Sequence, residues 1–189
     1  MSAMTFTPLL ISRRLFLAAA LIAGVAAPAY AQDAGNTLYL DFKDGRVTIA
    51  LDPVAAPKTV AHIKELVKKG FYTNTPIHRV IPGFMAQMGD PTGTGGGPGS
   101  GTTVPAEFGP TPFERGTVGL ARTEDPNSGD SQFFIMLAPN DYLNGKYAAF
   151  GKVTDGMDVV DKIKQGTREN NGVVENPDKL LKATLGDMQ

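Results

Sequence analysis

A mainly β domain, an antiparallel barrel or sandwich, is what this sequence predicts, on three observations. Glycine is abundant (22 residues) and proline frequent (14) in a chain of 189, so the backbone turns often. At least seven short apolar or alternating runs are separated by turn signals rather than by long helical patterns. Only two short segments carry helical spacing, and no repeat or linker divides the chain beyond its first 31 residues. Closure into a barrel is the expected solution, because it leaves no exposed edge.

The first element stands apart from the fold. Ser12-Arg13-Arg14-Leu15-Phe16-Leu17 precedes an apolar run from Leu15 to Ala27, then Pro28 and the small-residue site Ala29-Tyr30-Ala31. Residues 1–31 therefore read as a cleavable signal peptide cut before Gln32. The run is about 13 residues, short of the roughly 20 that span a bilayer, which disfavours an uncleaved anchor. Twin arginines resemble a Tat signal, although Sec signals also carry arginines beside their apolar core. Export to the periplasm, or otherwise out of the cytoplasm, is expected. Residues 32–189 form the single remaining domain.

Within it, Thr37–Phe42 and Val47–Leu51 alternate apolar and polar residues around the Asp44-Gly45 turn signal, which predicts a hairpin. Pro57 opens a helix whose apolar stripe is Val60, Ile63, Leu66 and Val67, and Lys68, Lys69 and Gly70 close it. Strands are predicted over Ile77–Ile81 and Phe84–Met88, around Pro82-Gly83. Gly89–Gly101, with seven glycines and two prolines, is a long loop. Thr117–Ala121, Gln132–Leu137 and Ala148–Val153 are further strands, and Met157–Gln165 is a short helix stopped by Gly166. A polar stretch from Thr167 to Pro177 leads to a last strand, Leu180–Leu185.

Composition excludes several function classes. With a net charge of −1, there is no basic field for nucleic acid or an anionic membrane. Loss of residues 1–31 removes two arginines and leaves 16 basic against 19 acidic side chains, a net of −3. With no cysteine and two histidines, disulfides are impossible and a zinc site lacks its usual ligands. The glycine-rich Gly93–Gly99 fits neither a P-loop nor a dinucleotide fingerprint, and leads to no helix, so it reads as a structural loop beside a binding groove. Ser131 has no histidine placed to activate it, which weighs against a hydrolase. His62, on the helix with Lys64 and Lys68, is expected to be solvated, and His78 to pack on the face opposite Arg79.

What remains is the run Ile77-His78-Arg79-Val80-Ile81-Pro82-Gly83-Phe84-Met85-Ala86-Gln87-Met88-Gly89-Asp90, then Gln132-Phe133-Phe134-Ile135 and Tyr142-Leu143-Asn144-Gly145. In this order the segments resemble the cyclophilin family of peptidyl-prolyl cis/trans isomerases, and the similarity spans nearly all of residues 32–189. The resemblance implies a closed eight-stranded antiparallel barrel capped by two short helices, with a packed interior and a substrate groove outside. It implies Arg79 as the catalytic residue, and Phe84, Met85, Phe134 and Leu143 as the lining of a proline pocket. Gln87 and the Ala121-Arg122 segment would contact the substrate backbone, with Gln132 a polar neighbour. Tyr142 stands where eukaryotic members usually have tryptophan, Tyr147 where they have histidine, and Arg122–Asp125 is one residue longer. Both tyrosines would border the groove.

Isomerisation of an X-Pro bond needs no nucleophile, metal or cofactor, which suits a chain without a conventional catalytic set. The implied partners are proline-containing polypeptides, with no nucleic acid, no membrane after signal cleavage, and a monomeric enzyme. A proline-binding chaperone without catalysis is the competing expectation. Retention of Arg79 beside Phe84, Gln87 and Phe134 weighs against it, because binding alone has little use for the arginine.

Overall fold

In the computed structural model Met1 and residues 33–188 are described, so the signal-peptide expectation lies outside the described residues. The first hairpin forms as its alternation requires. β1 (Thr37–Phe42) pairs with β2 (Gly45–Leu51) from Thr37↔Ala50 to Phe42↔Gly45, leaving Lys43-Asp44 as the turn. Leu38, Leu40, Phe42, Val47 and Ile49 all turn inward and are buried.

Helix α1 (Pro57–Lys68) begins on its proline, but Ala56 has no side chain to cap it. The carboxylate of Glu107 caps it instead, accepting from the N–H groups of Lys58 and Thr59 at 2.9 and 2.8 Å. The buried stripe is Val60, Ile63, Leu66 and Val67, widened by Thr59 and His62. Here the solvated reading of His62 fails, since the residue is 8% exposed. It lies three residues after Thr59 and four before Leu66, on the buried flank, and its Nε2 meets Asp130 Oδ1 at 3.2 Å.

The remaining strands are β3 (Thr75–Pro76), β4 (Arg79–Ile81), β5 (Met85–Met88), β6 (Thr117–Leu120), β7 (Phe133–Met136), β8 (Ala149–Asp155), β9 (Lys179–Leu180) and β10 (Lys182–Leu185). The expected final strand is thus broken at Leu181, whose N–H turns to Asp41 O at 2.8 Å. Helix α2 (Met157–Asp161) ends sooner than its apolar spacing suggested.

Eight strands form one antiparallel curled sheet in the order β10-β1-β2-β8-β6-β7-β5-β4, while β3 and β9 pair separately. Closure is therefore not achieved: β10 and β4 are edges, and the sheet is a half-barrel. The reason is that the outer edge of β4 is already taken. Val80 N–H donates to Gly172 O and Val80 O accepts from Gly166 N–H, at 2.7 and 3.0 Å, while Val174 N–H donates to His78 O at 3.1 Å. An irregular segment thus satisfies the β4 backbone where a closed barrel would have placed a strand.

The alternation of β7 distributes its side chains between two apolar clusters. Phe133 and Ile135 join the main core inside the sheet, with Leu40, Ile49, Ile63 and Phe150. Phe134 and Met136 point the other way, into a second cluster with Ile81, Met85, Phe113 and Leu143. Gly119 on β6 is required here, because a Cβ would stand 2.5 Å from the Phe134 ring and 2.6 Å from that of Phe113.

Candidate active site

The second cluster is open on one side, and that opening is a groove of about 690 Å³. Nearly every residue singled out from the sequence lines it: Arg79, Phe84, Met85, Gln87, Ala121, Arg122, Phe134, Tyr142, Leu143 and Tyr147. Gln132 lines an adjoining depression of about 270 Å³, between Gln87 and the glycine-rich loop.

Strand register brings the polar side together. Arg79 on β4 lies opposite Gln87 on β5, which in turn lies opposite Phe134 on β7. Arg79 Nη1 donates to Gln87 Oε1 at 2.9 Å, Gln87 Nε2 to Gln132 Oε1 at 2.9 Å, and Gln132 Nε2 to Gly95 O at 3.1 Å. This chain fixes both amides with their oxygens toward the arginine. From the other side Arg79 Nε donates to Asn171 O at 2.9 Å and Nη2 to Asn171 Oδ1 at 2.8 Å. Burial pulls the guanidinium below its ordinary pKa, yet it starts so far above neutrality that it stays a cation.

The apolar side is built from aromatic contacts. Phe134 stacks on Phe113 with ring centroids 5.7 Å apart, and meets Tyr147 edge-on at 5.8 Å. Leu143 is presented by a one-turn 3₁₀ segment, Asp141–Leu143, capped by Asn140 Oδ1, which accepts from Tyr142 N–H at 3.0 Å. Along the rim, the Arg122 guanidinium lies 4.5 Å from the Tyr147 ring centroid and donates to Lys146 O at 2.8 Å and Thr123 O at 2.7 Å. Its side chain therefore braces the wall. Tyr142 is 72% exposed at the mouth, with Lys146 Nζ 3.6 Å from its ring centroid.

The glycine-rich loop wraps around two carboxylates, as a structural loop beside a groove should. Asp90 is buried and accepts from the N–H groups of Thr92, Gly95 and Gly97. Burial alone would raise its pKa, but these bonds and the Thr92 hydroxyl outweigh it and hold the carboxyl below its usual range. Asp130 accepts from Ser100 and Gly101 and from His62. Ser131 is fully buried and donates to Gly89 O at 2.8 Å, with no histidine on its hydroxyl, so the hydrolase that the sequence already disfavours has no activated nucleophile.

The glycine-rich loop borders the groove through Gly93, Thr94 and Gly95, while sequence reasoning missed His78, Asn171 and Val173 as groove residues. Asn171-Gly172 did carry a turn signal, but nothing in a single sequence places that turn against Arg79, 92 positions away. His78 is 6% exposed, neither ring nitrogen reaches a hydrogen-bond partner, and burial pushes its pKa below the ordinary value.

Similarity to known proteins gives the family. Residues 37–185 match the family model of the cyclophilin-type peptidyl-prolyl cis-trans isomerases. A probable peptidyl-prolyl cis-trans isomerase of Brucella suis is 49% identical, over 92% of this chain and 95% of its own. Among solved structures, the Hirschia baltica cyclophilin AquaCyp293 superposes with a TM-score of 0.72 at 30% identity, covering 81% of this chain and 74% of its own. A Cryptosporidium parvum cyclophilin-type isomerase, crystallised in the presence of the dipeptide Ala-Pro, gives a TM-score of 0.70 at 28% identity, covering 79% and 98%. The chain belongs to the cyclophilin family and is a peptidyl-prolyl cis-trans isomerase.

Proposed function

We propose that the groove takes an extended X-Pro segment of an exported client chain, grips the prolyl ring, and assists folding by accelerating rotation about the preceding bond. The observation that carries this is a fixed guanidinium beside an apolar pocket. Phe84, Met85, Phe134 and Leu143 hold the pyrrolidine ring, Gln87 and the Ala121-Arg122 backbone meet the flanking peptide groups, and Tyr142 and Tyr147 border it. Rotation about an X-Pro bond must cross roughly 18–20 kcal/mol because twisting destroys amide resonance. In the twisted state the prolyl nitrogen becomes pyramidal and regains a lone pair. A donor from Arg79 binds that lone pair, which neither planar isomer offers, and this difference lowers the barrier. The apolar walls exclude water and strengthen the interaction. The Ala-Pro dipeptide named for the Cryptosporidium structure supports a prolyl ligand of this kind.

Arg79→Ala should leave the fold intact and lower kcat/KM at least about tenfold. That is about 1.4 kcal/mol, no more than a hydrogen bond to a charged group, roughly 1.5–3 kcal/mol, can supply. A protease-coupled proline-peptide assay measures it, and a folded variant with normal activity removes the arginine from the mechanism.

The location follows from the leader. Residues 1–31 act as a Tat-like signal, and the mature enzyme begins at Gln32, a periplasmic monomer that engages neither nucleic acid nor membrane. Intact-mass measurement of the enzyme from a periplasmic fraction should give a chain starting at Gln32. Recovery of the full 189-residue chain from the cytoplasm would sink this assignment.

A further inference from the structure

Resting on the role given to Arg79 above, we propose that Asn171 is a positioning residue that sets the plane of the Arg79 guanidinium. An arginine has five N–H donors. Two of them, on Nε and Nη2, form a fork onto the backbone and side-chain oxygens of this single residue, at 2.9 and 2.8 Å. Gln87 takes a third, on Nη1. One N–H on each terminal nitrogen is left for a substrate. Two bonds along one edge fix both the position and the plane of the group, which a single bond cannot do.

Asn171 presents both oxygens on the same side because its backbone is left-handed, at φ 57°, a conformation that asparagine tolerates better than most residues. The turn that holds it is itself tied. Asn170 Oδ1 accepts from Thr167 and Gly172 N–H, each at 3.1 Å, and Gly172 N–H donates to Thr167 O at 2.7 Å. The same segment is strapped to His78, just before β4, and to Val80 within it, on either side of Arg79. A neutral amide also orients the guanidinium without giving it a counter-charge. Among the described residues Arg79 makes no ion pair, so its full charge stays available.

The test is a double-mutant cycle with kcat and KM resolved by NMR exchange on a proline peptide. Asn171→Gly keeps the left-handed turn and the backbone carbonyl but deletes the side-chain half of the fork. It should lower kcat about tenfold, the effect of losing one bond to a charged group, with KM changed less than about twofold. In an Arg79→Lys background, which has no fork to hold, the same substitution should lower kcat less than about twofold further. An equal loss in both backgrounds would show that Asn171 acts through the loop and not through the arginine. A wild-type kcat in Asn171→Gly also overturns the proposal. Full activity in Arg79→Lys alone would instead overturn the role of Arg79. On the unmodified protein, hydrogen exchange at Arg79 Nε should be slowed at least about tenfold relative to free arginine. Unprotected exchange there rejects the fork whether or not the variants fold.

Discussion

Phe133 and Phe134 are neighbours in sequence and belong to different regions of the molecule. Phe133 lies in the sealed core, edge-on to Tyr72 and Phe150 with ring centroids 5.6 and 6.2 Å apart. Phe134 lies in the outer cluster, where aromatic contacts also surround it but one wall is missing. Side-chain type does not distinguish the two clusters, since both are apolar and aromatic. What differs is completeness. The core is closed on all sides, whereas the groove keeps one open face, along which Arg79, Gln87 and Gln132 are hydrogen-bonded to one another.

Substituting the two phenylalanines breaks the comparison most directly. Phe133→Ala empties a site closed on all sides and should cost about 3–5 kcal/mol of stability, while the folded enzyme keeps kcat/KM within about threefold. Phe134→Ala opens onto water, so its cavity is filled at lower cost and stability falls by about 2 kcal/mol. Its kcat/KM should fall at least about tenfold, because the ring contact with proline is gone. Urea unfolding and the peptide assay on both proteins decide the matter. Equal losses of stability and of activity in the two variants would mean that the clusters are not functionally distinct.

This division is largely legible in the sequence. Period-two alternation in Gln132–Leu137 already sent Phe133 and Phe134 to opposite faces, and Pro57, Lys68 and Gly70 marked the first helix at both ends. The strands of the sheet follow from local pattern, while the ten groove residues come from the resemblance to the cyclophilin family. What was not legible depends on distant chain segments meeting. The half-barrel is open because residues 166–174 occupy the β4 edge, and no local pattern encodes that occupation. His62 looked solvated because its neighbours in sequence are charged, while its partner Asp130 is 68 positions away. Asn171 lay in a polar stretch with only a turn signal, and Glu107 caps α1 from outside the helix altogether.

Titration gives a smaller effect that sharpens the contrast, since it should separate the fold from the groove chemistry. Arg79 stays charged throughout the physiological range, and no histidine is given a part in the reaction, so kcat/KM should vary less than about twofold from pH 6 to 8. Stability behaves otherwise. Burial lowers the pKa of His78 from 6.5, with Asp90 nearby opposing the shift and Arg79 adding to it. Below about pH 6.5 the unfolded chain binds a proton there that the folded chain refuses, so stability is present above that pH and is lost as pH falls toward the folded pKa. One such group contributes a slope of at most about 1.4 kcal/mol per pH unit. Asp90 and Asp178, both held below 3.8, add their own loss only as pH falls under about 4. Urea unfolding of the wild type and of His78→Gln from pH 7.5 to 5 isolates the histidine: the wild-type slope should be the steeper of the two below pH 6.5. Parallel slopes would show that His78 does not stay neutral in the fold. A step in kcat/KM near pH 6.5, with the fold intact, would show that a histidine enters the groove chemistry after all, and the separation between fold and groove would then fail at His78, a buried side chain that also lines the groove.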